Sequence, residues 1–297
     1  MLGEPPRIKL VYVAGLGHSG TTLLGMILGQ LHGFFYAGEL AGSRAFERGG
    51  RCGCGQSLAE CETWQSILRA AFPRPELVTR LALDPGDGSV GGLMRQLLTA
   101  RSSRLDERKE AYALLLPAIL HASGARVIVD SSKWPGYAYF LRHVDGVELA
   151  VVHLVRDPRG VAHSRRKRAE RQRGVRQPSA VAGALLWDLW NPVIEALSRR
   201  GRYLRIRYDD LVSAPEQVVR RVAELMDEEP APLRFTSART VELRATHSVE
   251  GNRNRFQTGP VRIALDEAWR TPHGLSTADR GLVAALTWPI RRRYGYD

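Results

Sequence analysis

The 297-residue sequence lacks any apolar run near the roughly 18 residues that a membrane-spanning helix needs. Its first strongly apolar stretch, Leu10–Ala14, leads into a glycine-rich segment, without the small-residue cleavage site that follows a secretory signal. We therefore expect no membrane span and a cytoplasmic location.

Cysteine is scarce as well. The chain has only Cys52, Cys54 and Cys61, which lie within ten residues of one another. Three is an odd number for pairing, and it is one short of the four ligands of a structural zinc site. We expect reduced structural thiols, with a bound metal and a local disulfide as the alternatives.

Lysine is rare in a chain that is otherwise strongly basic. Only four of the 43 basic residues are lysines, so a single arginine carries little functional information and a lysine somewhat more. With 31 acidic residues, the formal net charge is +12, which favours an anionic ligand or partner. The charge alone does not distinguish a nucleotide, a sulfated sugar, a nucleic acid or a membrane surface.

A lysine is also missing from the segment Gly15–Thr22, which reads GLGHSGTT. The phosphate-binding loop of a nucleoside triphosphatase has two glycines separated by four residues, followed by Lys and then Ser or Thr. Gly15 and Gly20 have this spacing and Thr22 fills the last position, but Thr21 replaces the lysine. Backbone N–H groups of such a turn still bind a phosphate. The segment therefore predicts nucleotide binding without triphosphate cleavage; a tight glycine-rich connection is the alternative.

Strand-like and helical patterns alternate along the chain. Strands are predicted at residues 8–14, 126–129, 147–155 and 203–207, and helices at residues 23–31, 59–72, 104–122, 179–199 and 215–226, with loops at 38–55 and 73–92. Gly33 is the expected cap of the first helix. The alternation predicts a three-layer α/β/α fold with a mainly parallel central sheet. We expect one domain over residues 1–297, in which residues 43–122 form a largely helical or loop insertion covering the site.

Four segments together resemble the sulfotransferases that use 3′-phosphoadenosine 5′-phosphosulfate (PAPS), especially the bacterial and the tyrosylprotein and carbohydrate branches. They are His18–Leu23 (HSGTTL), Leu154–Ser164 (LVRDPRGVAHS), Arg207–Leu211 (RYDDL) with Pro215 and Glu216, and Cys52–Gly55 (CGCG) with Cys61 and Trp64. The first two, in this order, carry most of the resemblance. It implies a P-loop NTPase-like sulfotransferase fold and transfer of a sulfuryl group from PAPS to a hydroxyl group.

The resemblance also implies a donor-binding site. The loop residues Gly17, His18, Ser19, Gly20, Thr21 and Thr22 would hold the 5′-phosphosulfate. Arg156 and Ser164 would bind the 3′-phosphate, which ATP lacks, because a guanidinium pairs bidentately with phosphate oxygens. The segment 247–256 resembles a loop over the nucleotide, in which Arg253 or Arg255 contacts the donor; a plain basic surface is the alternative. The donor's charges would be met by side chains and amides, so we predict no metal.

Three residues are predicted to be catalytic. Charge grows on the bridging oxygen of the donor. His18, where the family usually has Lys or Arg, would donate a hydrogen bond to it and carry a proton near pH 6.5. A purely structural histidine at the strand end is the alternative. Lys133 would contact the donor, with a surface salt bridge to Asp130 or another acid as the alternative. Glu39 is the predicted general base for the acceptor hydroxyl. His32, His153 and His163 are the other candidate bases, and a role of Glu39 in ordering its loop alone is the non-catalytic alternative.

Two other functions fit parts of the sequence. A phosphoryl transferase with an atypical loop would bind ATP with magnesium, although Thr21 argues against it. A non-enzymatic nucleic-acid- or anion-binding protein would use Arg165–Arg176 (RRKRAERQRGVR), but such runs are more often solvated surface. We expect instead that this run borders the site of a small-molecule, carbohydrate or natural-product hydroxyl acceptor, with no nucleic-acid partner. The acceptor's identity and the oligomeric state are not readable from the sequence.

Overall fold

Five parallel strands form the central sheet of the computed structural model, which describes residues 7–81, 91–94, 103–171, 179–229 and 235–297. The strands are β1 (Ile8–Ala14), β2 (Phe34–Gly38), β3 (Val127–Lys133), β4 (Val147–Val155) and β5 (Arg202–Arg207), in the order β2-β3-β1-β4-β5. Every neighbouring pair is parallel. All five carboxyl ends therefore meet at one edge, where ligands bind in sheets of this type.

Helices cover both faces of this sheet. They are α1 (Thr21–Leu28), α2 (Glu62–Ala71), α3 (residues 91–94), α4 (Ser103–Ser123), α5 (Pro135–Leu141), α6 (Pro158–Arg171), α7 (Ala180–Ser198), α8 (Tyr208–Ser213), α9 (Pro215–Leu225), α10 (Thr277–Leu286) and α11 (Trp288–Arg293). Short 3₁₀ turns occupy Leu40–Ala45, Pro75–Leu81, Arg253–Phe256 and Ala268–Arg270. No helix in the described parts of the chain has both the length and the apolar composition to cross a membrane.

Side-chain alternation along β1 builds the two layers of core. Leu10 and Tyr12 point into one hydrophobic cluster, which also contains buried residues of α2, α4 and α5. Val11 and Val13 point into the other cluster, with residues of α1, α8 and α9. A strand buried on both faces needs apolar residues at successive positions, which is why β1 reads as a continuous apolar run. The predicted three-layer α/β/α fold is confirmed.

A small antiparallel sheet packs outside α1. Its strands are β6 (Phe235–Ser237), β7 (Thr240–Leu243) and β8 (Gly259–Arg262), paired in that order. The segment between β7 and β8 returns to the central sheet, where the Val249 amide donates a hydrogen bond to the Ala37 carbonyl, 2.9 Å away. This contact brings residues 247–256 to the carboxyl end of β2, the edge strand.

Several boundaries differ from the sequence-based predictions. β2 was not predicted, since five apolar residues directly after a helix show no period of their own. The first helix ends at Leu28 with Gly29 as its cap; Gly33, with φ of 83°, instead lies in the turn into β2. β3 continues to Lys133 because Asp130, Ser131 and Ser132 are buried and hydrogen-bonded.

The structure describes only parts of the predicted 43–122 insertion and of the basic run Arg165–Arg176. Within 43–122, α2 and α4 pack into the core on one face of the sheet, and coverage of the site by this segment stays a prediction. Likewise, the basic run Arg165–Arg176 is helical as far as Arg171, at the end of α6. Its last five residues lie outside the described part of the chain.

Candidate active site

The predicted phosphate loop forms the turn between β1 and α1. Gly20, with φ of 95°, directly precedes the helix, and a Cβ there would lie 2.9 Å from Cδ2 of Tyr208. Both the dihedral and the close contact require glycine at this position. Ser19, Thr21 and Thr22 are buried where α1 begins. The first amides of a helix have no partner within the helix, so this end suits an anion.

Arg156 connects the second predicted motif to the loop. It follows the last residue of β4, and its Nη1 donates to the backbone carbonyl of His18 at 3.0 Å and to Oγ of Ser164 at 3.2 Å. Nη2 donates to the carbonyl oxygen and to Oδ2 of Asp266, both at 3.0 Å. The structure therefore brings Arg156 and Ser164 together, as predicted, and adds a carboxylate that sequence reasoning missed.

The Arg156 guanidinium is held on its flat face as well as at its edge. Its Cζ lies 4.6 Å from the ring centroid of Tyr208, a cation–π contact. Trp187 donates to the Arg156 carbonyl at 3.0 Å and fixes the backbone. A cavity of about 240 Å³ opens beside this guanidinium, lined by Asp266 and Trp269 among others, and the loop residues do not line it.

Lys133 and Glu39 form an ion pair at the ends of β3 and β2. The Lys133 ammonium donates a hydrogen bond to Oε1 of Glu39, and both side chains are largely buried, at 15% and 20% exposure. Of the alternatives for Lys133, pairing with Asp130 is wrong, whereas pairing with another acid is observed, in a largely buried ion pair. Oδ1 of Asp130 instead accepts from the Ser132 amide at 2.8 Å and from the Ser132 hydroxyl at 2.5 Å. Two of the three predicted catalytic residues are therefore in contact.

The segment after His247 approaches this ion pair through Gly251. Its φ is 133°, and a Cβ at this position would lie 3.3 Å from Oε1 of Glu39 and 3.7 Å from Oγ1 of Thr22. The backbone at Gly251 therefore passes close to Glu39 and to the start of α1. It places Glu39 beside the start of α1, between the loop and the returning segment.

His18 is surrounded by positive charge. Burial first, and then the charges of Arg168, Arg165, Lys133 and Arg156, lower the pKa of its imidazole to about 4. The expectation that His18 carries a proton near pH 6.5 is therefore wrong for the ligand-free protein. The neutral ring still donates one N–H. Cations converging on the loop provide the field that a polyanionic ligand needs. Two of them, Arg165 and Arg168, belong to the basic run that is expected from the sequence to border the acceptor site.

The two arginines of the 247–256 segment differ in position. Arg253 is exposed, whereas Arg255 is buried and donates from Nη2 to the Arg51 carbonyl at 2.7 Å. Arg255 also stacks on Phe256, with its Cζ 4.4 Å from the ring centroid. Arg255 therefore ties this segment to the cysteine segment, and its contact with a donor stays a prediction.

The rival bases occupy less suitable positions. His32 is exposed in the turn after α1. His153 is buried inside β4, and its two ring nitrogens lie 2.9 Å from the Tyr203 hydroxyl and from Oδ1 of Asn191. Burial lowers the pKa of His153 to about 4. His163 lies in α6, where burial also lowers its pKa. Among these groups, Glu39 alone contacts Lys133 in the described structure.

The three cysteines meet a histidine from the distant 247–256 segment. One ligand atom from each of Cys52, Cys54, Cys61 and His247 can be chosen so that all lie within 4.8 Å of one another. No local pattern could have predicted that His247 joins the cysteines, because it is 186 residues from Cys61 along the chain. The cluster lies beside the candidate active site and is the other group of residues here that could hold a cofactor.

Comparison with known proteins identifies the family. The profile of the sulfotransferase family matches residues 11–232, a range that contains the loop, Glu39, Lys133, Arg156 and Ser164. A search of curated proteins finds no match.

The fold resembles solved sulfotransferase structures. The sulfotransferase domain from the curacin biosynthetic pathway aligns with a TM-score of 0.54 and 18% identity over 99% of each chain. The sulfotransferase domain from the Synechococcus PCC 7002 olefin synthase aligns with a TM-score of 0.53 and 21% identity, over 100% of this chain and 98% of that one. These identities support the fold, and the profile match covers most of the chain. The protein therefore belongs to the sulfotransferase family and is a transferase of the sulfotransferase type.

Proposed function

We propose that the protein transfers a sulfuryl group from PAPS to a hydroxyl group of a small-molecule, carbohydrate or natural-product acceptor. The observation that carries the proposal is the contact of Arg156 with both Ser164 and the carbonyl of His18, at 3.2 and 3.0 Å. This contact connects the phosphate loop, which lacks the lysine of a triphosphatase, to a buried arginine that directly follows the neighbouring strand β4. A donor with phosphates at both the 5′ and the 3′ position matches two such binding points.

The loop would hold the 5′-phosphosulfate. Amides at the start of α1 and the hydroxyls of Ser19, Thr21 and Thr22 supply donors, and the cations around His18 supply the positive field. Arg156 and Ser164 would bind the 3′-phosphate. Since both Nη atoms of Arg156 already donate to protein oxygens, a phosphate bound bidentately would have to replace at least one of these contacts.

Glu39 would act as the general base. As the acceptor oxygen forms its bond to sulfur, the bond from sulfur to the bridging oxygen breaks, and that electron pair leaves with adenosine 3′,5′-bisphosphate. Glu39 takes the acceptor proton, while Lys133 and the neutral imidazole of His18 donate hydrogen bonds toward the growing negative charge. The ion pair between Lys133 and Glu39 places base and cation side by side. This mechanism assigns no metal to the reaction.

Other features remain part of the proposal. Contact of Arg253 or Arg255 with the donor, a single domain over residues 1–297 and a cytoplasmic location all stay predictions. Residues 165–171 form the C-terminal half of α6, and two of them, Arg165 and Arg168, contribute positive charge at His18. This position favours a role of the basic run in binding the anionic donor or acceptor rather than a nucleic acid.

Calorimetry and a transfer assay test the function. We expect adenosine 3′,5′-bisphosphate to bind far more tightly than 5′-AMP, and magnesium–ATP to bind weakly. Arg156→Ala should weaken the bisphosphate by about 1.5–3 kcal/mol, the scale of a charge-assisted hydrogen bond. Arg221→Ala, at an exposed position on α9, is the matched control. Equal affinity for 5′-AMP and the bisphosphate, or no transfer of label from radiolabelled PAPS to any acceptor in a broad hydroxyl panel, would contradict the proposal.

A further inference from the structure

The cluster of Cys52, Cys54, Cys61 and His247 has the composition of a structural metal site. Three sulfurs and one imidazole nitrogen converge within 4.8 Å, and Cys52 and Cys61 are fully buried. Three thiolates with one imidazole form one of the common zinc ligand sets. We propose that these four residues bind a structural zinc ion, which goes beyond the sulfotransferase function.

The distances between the ligand atoms fit a tetrahedron around zinc. Bonds of about 2.3 Å to sulfur and about 2.0 Å to nitrogen place two sulfurs about 3.8 Å apart, and sulfur and nitrogen about 3.5 Å apart. The Sγ atom of Cys61 lies 3.5 Å from that of Cys52 and 3.9 Å from that of Cys54. Nδ1 of His247 lies 3.3 Å from Sγ of Cys61 and 3.7 Å from Sγ of Cys52.

The backbone around the cysteines forms a tight turn that brings their sulfur atoms close together. The Gly55 amide donates to the Cys52 carbonyl at 2.9 Å, and the Cys52 amide donates to the Gln56 carbonyl at 2.8 Å, which folds the CGCG segment into a tight turn. Cys61 is the residue that precedes α2, so its sulfur lies at the positive end of a helix. Thiolates in such positions are favoured as metal ligands.

His247 is oriented by the residues of α2. Its carbonyl accepts a hydrogen bond from Nε1 of Trp64 at 2.6 Å, which fixes the backbone. Its Nε2 lies 3.3 Å from the hydroxyl of Thr63, leaving Nδ1 to face the sulfurs. A hydrogen bond at the second ring nitrogen is the usual way in which a metal-binding histidine is oriented.

The other two interpretations of the cysteines, a local disulfide and the expected reduced thiols, do not account for the whole cluster. A disulfide joins two sulfurs at about 2.05 Å and would leave the third cysteine and His247 without a role. The Sγ atoms of Cys61 and Cys52 lie 3.5 Å apart, and those of Cys61 and Cys54 lie 3.9 Å apart. Three reduced thiols form only weak hydrogen bonds, which do not explain why a histidine from a distant segment joins them. A single zinc ion uses all four.

The zinc would hold the 247–256 segment in place rather than take part in chemistry. Four protein ligands leave no open coordination position, so the site is structural. The Gly53 amide also donates to the Ser248 carbonyl at 2.9 Å, next to His247. Four residues beyond His247, the same segment passes Glu39 at Gly251. The ion therefore links the cysteine turn to the segment that borders the proposed base.

Metal analysis of the full-length protein tests this inference. We expect one zinc per chain in protein purified without a chelating tag, and an intense visible spectrum with thiolate-to-metal charge transfer after replacement by Co²⁺. His247→Ala should lose the zinc, and His247→Cys should retain it because a fourth thiolate replaces the imidazole. His273→Ala, at an exposed histidine, is the control and should keep one equivalent.

The outcomes are decisive in both directions. Wild-type protein that is folded but holds no stoichiometric zinc and gives no thiolate–cobalt bands overturns the inference, and so does full zinc retention by His247→Ala. If His247→Ala fails to fold, the cobalt spectrum of the wild-type chain decides. A protein that holds zinc but transfers no sulfuryl group supports this inference and contradicts the proposed function. A protein that transfers the sulfuryl group but holds no zinc supports the proposed function and contradicts this inference.

Discussion

Arg156 donates two hydrogen bonds to Asp266, one to its carbonyl oxygen and one to its carboxylate, each 3.0 Å long. The arginine proposed to bind the 3′-phosphate is thus already neutralised by an internal anion whose side chain is 42% exposed. A phosphate at this position competes with that carboxylate for the same guanidinium.

Asp266→Asn should therefore strengthen binding of adenosine 3′,5′-bisphosphate. The amide removes the competing charge but leaves the backbone carbonyl contact, and we expect a gain of about 1 kcal/mol, the net worth of one hydrogen bond. Isothermal titration measures it, with Asp279→Asn on α10 as the control. Weaker binding by Asp266→Asn would show that this carboxylate orients Arg156 instead of competing for it.

Glu39→Gln should lower kcat by about 10²- to 10⁴-fold, the usual contribution of a general base. The substituted amide keeps the shape of the side chain but accepts no proton, and binding of the bisphosphate should persist. Radiolabelled transfer under saturating donor measures kcat. Glu47→Gln, at a nearby exposed position, should retain full activity. Unchanged kcat in Glu39→Gln removes Glu39 from the mechanism.

His18 should act as a neutral hydrogen-bond donor. His18→Ala should lower kcat about 10²-fold, the cost of losing one donor to developing charge. His18→Asn should keep much of the activity, because asparagine donates a hydrogen bond and tolerates the φ of 76° found at this position.

The pH dependence provides a second check on His18. Its pKa is lowered to about 4, so the imidazole is already neutral at pH 5, and the kcat/KM profile of the free enzyme should show no His18 step between pH 5 and 8. A step near pH 6.5 that disappears in His18→Asn contradicts this assignment.

Asp130→Asn should change how stability depends on pH. Burial raises the pKa of Asp130 to about 7, so the folded state favours the protonated carboxyl. The stability that wild type gains from this protonated carboxyl is complete below the unfolded pKa near 4 and is lost as the pH rises through 7. The asparagine of the variant does not ionise, so the variant loses no stability over this range. The free energy of unfolding of the variant, relative to wild type, should therefore rise between pH 4 and 7 by up to about 4 kcal/mol.

Urea unfolding of both proteins at several pH values measures this difference. His18 and His153 have lowered pKa values, so they destabilise the fold as the pH falls. Both proteins share this effect, and it cancels when the unfolding free energy of wild type is subtracted from that of the variant. Asp145→Asn, at an exposed site, should give a flat difference. A flat difference for Asp130→Asn as well would mean that Asp130 is ionised in the folded protein without penalty.

Local pattern was enough to predict the parts of the site that are continuous in sequence. β1, the glycine turn and α1 follow one another directly, and β4 leads straight into Arg156, so periodicity and turn residues located both. The hydrogen bond between Arg156 and Ser164 also spans only eight residues. The relative positions of residues this close in sequence depend mainly on local secondary structure, which the sequence pattern predicts.

Contacts between distant segments could not be predicted in the same way. Asp266 meets Arg156 from 110 residues away, and His247 joins the cysteines from across the chain. Both depend on how the segment between β7 and β8, and the chain after it, return to the central sheet. The pKa of His18 was misjudged for the same reason, since cations from α6, β3 and β4 converge on it only in the folded protein.

The strand order has a geometric consequence for substrate selection. β1 lies between β3 and β4, so the backbone of Lys133, at the end of β3, and that of Arg156, just after β4, are two strand spacings apart, about 10 Å at about 4.8 Å per strand. Main-chain pairing fixes this separation, and no side-chain rotation alters it. In the proposed function, the site would therefore select a nucleotide by the distance between its two charged ends, and a nucleotide that is charged at one end would contact only one of the two positions.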